Sequence, residues 1–290
     1  MRWAEISVET TDQGQDAVGN LMIENGCGGV AIQNGPAVIV KCYLPVDDRL
    51  EDRLLQIKEG LSSLPSFGLD IGSGEITITY AEDEDWAESW KQFFRTTRVG
   101  HRIVIKPTWD EYTDPQLHDI VIELDPGMAF GTGSHATTQL CLRALEKHMR
   151  SRKVVIDFGT GSGILAIAAA KLKARLVIAF DSDDLAVKAA RENVVRNRVD
   201  HAVEVHRAES PAFVASETAD IVTANIVAET IMENAEEMAR ILKVGGMLIA
   251  SGITTGKSLD VEQALRNIGF DISERLTEGE WVAIVAIKAG

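Results

Sequence analysis

The stretch that decides the fold is Val154-Val155-Ile156-Asp157-Phe158-Gly159-Thr160-Gly161-Ser162-Gly163, a short apolar run followed by three glycines at alternate positions. The apolar run predicts a buried strand, and the glycines predict a turn that leads into a helix. Glycine adopts positive φ without steric cost and lets a ligand approach the backbone closely. The stretch therefore predicts a strand, a ligand-binding turn and a helix in succession.

Around this stretch, predicted strands and helices alternate from about residue 140 onward. The strands are expected at 153–157, 175–181, 202–206, 221–224 and 247–251, and the helices at 163–172, 184–197, 228–242 and 257–268. This alternation is typical of an α/β fold with a Rossmann-like, doubly wound sheet, which binds ligands at the carboxyl ends of its strands. The tail, at 270–275 and 281–288, predicts an antiparallel hairpin that closes the sheet.

The first 81 residues predict a separate, small α+β domain. Strands are expected at 3–10, 29–33, 37–44 and 75–80, and helices at 13–25 and 47–64. This β-α-β-β-α-β order is that of a ferredoxin-like domain. Residues 82–98 predict a linker helix with an aromatic face (Trp86, Trp90, Phe93 and Phe94), and residues 99–290 then form the second domain, with additional strands at 99–106 and 119–124.

The composition of the chain excludes several classes of protein. The chain has 290 residues, 45% of them hydrophobic, and a net charge of −15. Such an acidic chain is a poor match for phosphate backbones, so we expect no direct nucleic-acid partner. No apolar run is long enough for a membrane span, and no secretory signal is visible. Three scattered cysteines (Cys27, Cys42 and Cys141) argue against a disulfide framework or a metal site. We expect a cytoplasmic monomer without a metal.

The acid before the glycines narrows the choice of cofactor. A dinucleotide fingerprint reads G-x-G-x-x-G, but here the sixth position is Ile164 and the spacing is D-x-G-x-G-x-G. Asp157 would repel a pyrophosphate but not a sulfonium cation with an α-amino group. The spacing therefore favours S-adenosylmethionine (SAM), with cofactor contacts at Asp157, Gly159, Gly161 and Gly163.

A second acid, Asp181, ends the next predicted strand. A carboxylate at that point can accept hydrogen bonds from both ribose hydroxyls of a nucleoside. The alternative is a cap for the following helix, a role that Ser182 or Asp183 could fill instead. We assign Asp181 to the ribose.

The segment from Asp125 to Thr138 contains three glycines and one proline and ends in a Ser/His/Thr/Thr cluster. Loops of this composition often close over a site and exclude water. We assign Phe130, within this loop, to the cofactor site. His135 is a candidate proton acceptor, although a lone histidine is more often a structural hydrogen-bonding group.

Asn225 ends a strand that points toward the same sheet edge. Its side-chain carbonyl could orient an acceptor amine. Methyltransferases that act on planar nitrogens often have asparagine followed by prolines and an aromatic residue, and this chain lacks them. The sequence therefore favours an alkyl amine as the acceptor, with Asn225 as a catalytic residue.

These motifs together resemble the bacterial PrmA-type enzymes, the methyltransferases of large-subunit ribosomal protein number eleven. The resemblance spans nearly the whole chain, through the linker aromatics, the Asp125–Gly133 and His135–Thr138 segments, the glycine turn, Asp181, Asn225-Ile226 and Glu278-Gly279-Glu280-Trp281. Three positions depart from the family pattern: Ala136 replaces a proline, Arg198 follows Asn197 where glycine is common, and Phe94-Arg95-Thr96 lacks a lysine-proline.

The resemblance implies a class I SAM-dependent methyltransferase domain and an N-terminal domain that recognises the ribosomal protein. It implies cofactor contacts at Thr138, Gly159, Asp181 and Asn225. The implied products are methylated lysine side chains and a methylated α-amino group. Two alternatives stay open at this point: SAM-dependent N-methylation of another protein or a small amine, and a nicotinamide-dependent oxidoreductase or nucleotide-binding module.

Overall fold

The computed structural model describes residues 3–27, 29–33, 35, 37–67, 69–81, 95–125 and 133–290. They form two compact units that divide between Arg95 and Thr96. Within these residues, no helix is long and apolar enough to cross a membrane. The predicted linker helix lies outside the described residues except at its end, where Thr97 and Arg98 belong to a strand.

The first unit is an antiparallel sheet backed by two helices. Its elements are β1 (Trp3–Thr10), α1 (Gln15–Glu24), β2 (Val30–Gln33), β3 (Val38–Pro45), α2 (Leu50–Ser63) and β4 (Ile76–Ala81). The strand order is β2-β3-β1-β4. Alternate residues of β1 and β3 are buried, as a sheet with one covered face requires. The predicted ferredoxin-like arrangement is confirmed.

The cysteine pattern of this unit differs from expectation. Cys27 and Cys42 are paired as a disulfide, with their Cα atoms 5.9 Å apart, and Cys141 of the second unit is free and buried. The expectation of three unpaired cysteines is therefore wrong for two of them. Their separation in sequence gave no signal, because α1 and β3 become neighbours only in the folded unit.

The second unit contains a seven-stranded sheet with the order β10-β9-β8-β11-β12-β14-β13. Its strands are β8 (Val154–Phe158), β9 (Leu176–Asp181), β10 (Val203–Arg207), β11 (Ala219–Asn225), β12 (Leu242–Thr254), β13 (Phe270–Glu278) and β14 (Trp281–Lys288). The first five are parallel, and β14 pairs antiparallel with both β12 and β13. The doubly wound sheet with a closing hairpin is confirmed.

The helices of this unit cover both faces of the sheet. They are α3 (Ala136–His148), α4 (Ile164–Lys171), α5 (Asp184–Arg196), α6 (Ala228–Glu233), α7 (Ala235–Ile241) and α8 (Ser258–Asn267). The first seven residues of α4 are all buried, because it is the Ala- and Ile-rich helix at the centre of one apolar cluster. A separate three-stranded sheet, β5 (Thr97–Val99), β6 (Ile103–Lys106) and β7 (Ile120–Glu123), packs its buried residues into that cluster.

Three predicted elements differ from the structure in more than the placement of their end residues. The strand expected at 99–106 is a hairpin, β5 and β6, because Gly100 turns the chain with a φ of +70°. The helix expected at 228–242 is broken at Asn234, whose side chain donates to the Thr230 carbonyl. The last strand of the parallel set runs from Leu242 to Thr254 and is longer than expected.

Candidate functional site

The glycine turn lies at the carboxyl end of β8. Gly159, Gly161 and Gly163 have φ of +68°, +54° and +84°, which is the left-handed region that favours glycine. The backbone N–H groups of Gly159 and Thr160 both donate to the Phe180 carbonyl of β9, at 3.0 Å each. Gly163 is the N-cap of α4. The turn therefore presents the start of a helix at the sheet edge, as the sequence predicts.

Gly159 and Gly252 are packed against one residue, Ile226. A Cβ at Gly159 would lie 2.4 Å from Ile226 Cγ2, and a Cβ at Gly252 would lie 2.2 Å from the Ile226 carbonyl oxygen. Glycine is therefore required at both positions for two reasons: Ile226 leaves no room for a Cβ, and φ is positive. This packing fixes the residues that follow Asn225 against the glycine turn.

Asp157 lies beneath the turn and is 1% exposed. Its Oδ2 accepts a hydrogen bond from the Thr160 hydroxyl, and its Oδ1 accepts one from the Thr223 hydroxyl of β11, both at 2.6 Å. Burial raises the pKa of Asp157 to about 6, although the two hydroxyls act in the opposite direction. The carboxylate therefore joins the turn to β11, and its predicted contact with the cofactor stays a prediction.

Asp181 ends β9 beside the turn. Its Oδ2 accepts from the Gly161 N–H at 2.9 Å and its Oδ1 from the Asp183 N–H at 3.1 Å. Each oxygen can still accept a further hydrogen bond. Asp183 is the N-cap of α5 and accepts from the Leu185 N–H, so the capping role belongs to Asp183. This arrangement leaves Asp181 available to ribose hydroxyls.

Asn225 and Thr138 meet at the same edge. Asn225 Nδ2 donates to the Thr138 hydroxyl at 3.2 Å, and Thr138 is fully buried in the first turn of α3. Asn225 Oδ1 is also buried, and it has no hydrogen-bond partner among the described residues. A buried hydrogen-bond acceptor without a hydrogen-bond donor costs free energy. This oxygen therefore marks a position where an N–H or O–H group of a ligand would fit.

His135 is placed as a structural group. Its Nδ1 lies 2.8 Å from the Thr137 hydroxyl and accepts from the Thr137 N–H, which makes His135 the N-cap of α3. Its ring also packs edge-on against Trp281, with the centroids 4.9 Å apart. The interpretation as a structural hydrogen-bonding group therefore has direct support, while proton acceptance stays a prediction.

Two predicted features lie outside the described residues: Phe130 and the lid segment up to Thr132. Gly133, at the base of that segment, has a φ of +85° and packs on Ile105 and Ile164. No cluster of three or more metal-ligating side chains occurs in the described part of the chain.

Several supporting residues are not apparent from sequence alone. Thr160 and Thr223 hold Asp157, and the buried Asn193 of α5 donates to the Ser162 carbonyl at 2.9 Å. The buried Ser251 of β12 donates to the Val282 carbonyl, while its own carbonyl accepts from Ile226. One signal was present, because Thr223 lies two residues before Asn225 and so shares its face of β11.

Comparisons with known proteins agree on one family. Residues 2–289 match the family model described as ribosomal protein L11 methyltransferase (PrmA). Two relatives with the name ribosomal protein L11 methyltransferase, from Bacillus cytotoxicus and Alkaliphilus oremlandii, are 40% and 41% identical over the full length of both chains. A solved structure of a ribosomal protein L11 methylase from Lactobacillus delbrueckii subsp. bulgaricus is 33% identical, with a TM-score of 0.62, over 68% of this chain and 100% of its own.

We predict that Gly159→Ala destabilises the fold more than Gly245→Ala does. Both glycines have similar positive φ, but a Cβ at Gly245 meets nothing within 4 Å. Gly245→Ala should therefore cost about 1 kcal/mol for the backbone conformation, and Gly159→Ala about 2 to 4 kcal/mol, because the contact with Ile226 adds to it. Urea unfolding of both variants measures the difference. Equal losses of unfolding free energy would show that Ile226 moves away from the added Cβ at no energetic cost.

We predict a pH-dependent stability difference between the native chain and Asp157→Asn. The folded pKa of Asp157, about 6, is above its ordinary 3.8, so its contribution to stability is complete at low pH and is lost as pH rises through 6. Between pH 5 and 7, the native chain should lose about 1 kcal/mol of unfolding free energy relative to the variant. Urea titrations at both pH values test this, and a constant difference would mean that burial does not perturb Asp157.

Proposed function

The chain belongs to the ribosomal protein L11 methyltransferase (PrmA) family, and from that premise we propose that it transfers methyl groups from SAM to amino groups of ribosomal protein L11. The observation that carries this proposal is the buried, unpartnered Oδ1 of Asn225. It lies at the end of β11, whose Ala224 pairs with Phe158 beside the glycine turn. A hydrogen bond from the N–H of an amine substrate would satisfy this oxygen.

The residues of the sheet edge fit the cofactor. The positive-φ turn from Gly159 to Gly163 lets a ligand approach the backbone, and Asp181 has acceptor capacity for the ribose. Thr138 of α3 and Asn225 of β11, which are hydrogen-bonded to each other, lie at the same edge of the sheet. When bound, SAM supplies an electrophilic methyl group, and the protein contributes position and environment.

The protein's task is to present a neutral amine. A lysine side chain in water is mostly protonated at neutral pH, with a pKa of about 10.4. Transfer into a closed site lowers that pKa, because burial disfavours the charged form. Asn225 Oδ1 would then accept a hydrogen bond from the amine and fix its direction, and alignment of this kind contributes several kcal/mol to a rate. His135, which caps α3, is not needed as a base in this scheme.

The finer assignments are part of the same proposal. Lysine side chains and the α-amino group of L11 are the expected acceptors, and residues 1–81 are the expected recognition domain. That region holds more acidic than basic residues and so suits a basic ribosomal protein. We also propose that the enzyme is cytoplasmic, as its substrate requires, and monomeric.

Calorimetric titration with SAM and with NADH tests the cofactor. We expect SAM to bind with a micromolar dissociation constant, NADH not to bind, and Asp181→Ala to lose SAM binding because the ribose acceptor is gone. Asn267→Ala, at an exposed residue of α8, is the control and should bind as the native chain does. NADH binding without SAM binding would instead indicate an oxidoreductase.

We predict that Asn225→Ala lowers turnover more than SAM affinity. Loss of the carbonyl that orients the amine should reduce kcat about 10- to 100-fold, while the cofactor keeps its contacts with the turn and Asp181. Methylation of purified L11 and of a panel of small amines is measured beside SAM affinity. Unchanged turnover would refute the role of Asn225, and activity on a small amine but not on L11 would reassign the acceptor.

A further inference from the structure

A row of positive charge lies at the amino ends of β8, β9 and β10, the opposite edge of the sheet from the glycine turn. The turns before these neighbouring strands, residues 149–153, 171–175 and 196–202, hold 17 residues, of which eight are lysine or arginine and one, Asp200, is acidic. The whole chain has 29 lysines and arginines and a net charge of −15. The net charge therefore conceals a strongly basic edge.

Most of these cations have no acidic partner. Lys153 pairs with Asp220 and Arg196 with Asp125, and Lys171 is half-buried. The other five are exposed and form no ion pair with a described residue: Arg150, Arg152, Lys173, Arg175 and Arg198. We call these five residues the basic edge.

The backbone places these residues side by side. The Arg152 N–H donates to the Lys173 carbonyl, and the Arg175 N–H donates to the Lys153 carbonyl, at 2.8 Å each. The Val177 N–H of β9 donates a hydrogen bond to the carbonyl of Ala202, which lies just before β10. Since neighbouring strands lie about 4.8 Å apart, the three turns form a continuous row about 10 Å wide.

Three residues of the basic edge have a backbone conformation that favours glycine. Arg152, Lys173 and Arg198 have φ of +66°, +73° and +57°, a region that side chains adopt at a cost. Lys173 and Arg198 each lie one residue beyond the C-cap of α4 or α5, a position usually taken by glycine. After α1 and α8, the same position is Gly26 and Gly269, each with a φ of +93°. The chain thus uses glycine at other helix ends and cations on this edge.

Helix dipoles explain only part of the pattern. Cations in the last turn of a helix interact favourably with its carbonyl end, which accounts for Lys171 and Arg196. Arg152 and Arg175 lie outside the helices, immediately before strands. Their charge is therefore available to an external anion.

We propose that the basic edge binds the phosphate backbone of single-stranded RNA. Four of its five residues are arginines, whose planar guanidinium groups match phosphate oxygens in pairs. The three turns expose no large apolar side chain of the kind that anchors a protein interface. The expectation that this chain has no nucleic-acid partner rested on its total charge, which does not describe this local row of cations. This proposal does not depend on the proposed methyltransferase activity.

The test is fluorescence anisotropy of a labelled 12-nucleotide single-stranded RNA with the full chain, at 25 to 150 mM KCl. We expect a dissociation constant on the order of 10 µM at the lowest salt. The logarithm of the affinity should fall with the logarithm of salt with a slope of about −3.5, which is about −0.7 for each of five phosphate contacts. Absence of RNA binding at 25 mM KCl overturns the proposal.

The decisive variant replaces Arg152, Lys173 and Arg198 together with glycine. It should lose at least tenfold in RNA affinity and reduce the slope to about −1.4, while its melting temperature does not fall, because glycine relieves the positive φ. A control, Lys58→Gln with Lys188→Gln and Arg266→Gln, has the same net charge of −18 (−15 minus 3) and should bind RNA as the native chain does. Equal losses in both variants would show that only total charge matters.

Two further measurements keep the outcome clear. If the glycine variant does not fold, Arg150→Gln with Arg175→Gln, both at ordinary φ, must reduce RNA binding instead. Polyglutamate of matched length and phosphatidylserine vesicles are titrated beside the RNA. Tighter binding of either one than of RNA would show that the partner class is wrong, and SAM affinity, measured in parallel, should be the same in all variants.

Discussion

A buried carboxylate holds the two halves of the site together. Asp157 ends the apolar strand β8 with 1% exposure, and its two oxygens accept hydrogen bonds from Thr160 in the glycine turn and from Thr223 in β11. Because β11 carries Asn225 two residues later, the same carboxylate connects the glycine turn with the strand that carries the residue proposed to orient the acceptor amine. An unpaired charge at this position would be strongly destabilising, so the two hydroxyls are as necessary as the acid itself.

The packing around Ile226 adds a second constraint that acts in the same direction. Gly159 and Gly252 both approach this residue so closely that neither position has room for a Cβ. Ser251, whose hydroxyl bonds to the Val282 carbonyl, accepts the Ile226 N–H. The carboxyl ends of β8, β11 and β12 are therefore fixed to one another through the side chain and the backbone of Ile226. These contacts fix the position of Asn225. Its amide can therefore stay oriented although Oδ1 has no hydrogen-bond partner among the described residues.

The sequence predicted the parts of the fold that depend on local pattern. Apolar strands, the alternation of strand and helix, and the three glycines of the turn all follow from residue type and spacing. It could not show that the helix expected at 228–242 is interrupted at Asn234, or that Cys27 and Cys42 meet. Such features depend on contacts between distant segments. The roles of Thr223 and Ser251 were likewise hidden, because a buried hydroxyl has no signature in sequence until its partner is known.

Charge shows most clearly how a whole-chain property can mislead. In a doubly wound sheet, every helix that covers the parallel strands runs antiparallel to them, so the carboxyl ends of the helices and the amino ends of the strands share one edge. Cations that favour helix ends are thereby concentrated opposite the ligand edge, even in a chain with a net charge of −15. The strand β8 is five residues long, which separates the two edges by about 17 Å. At that distance in physiological salt, a charge at the glycine-turn edge and an anion at the basic edge would interact little, because the separation is about two Debye lengths. Electrostatics would therefore not make the ligands proposed for the two edges compete.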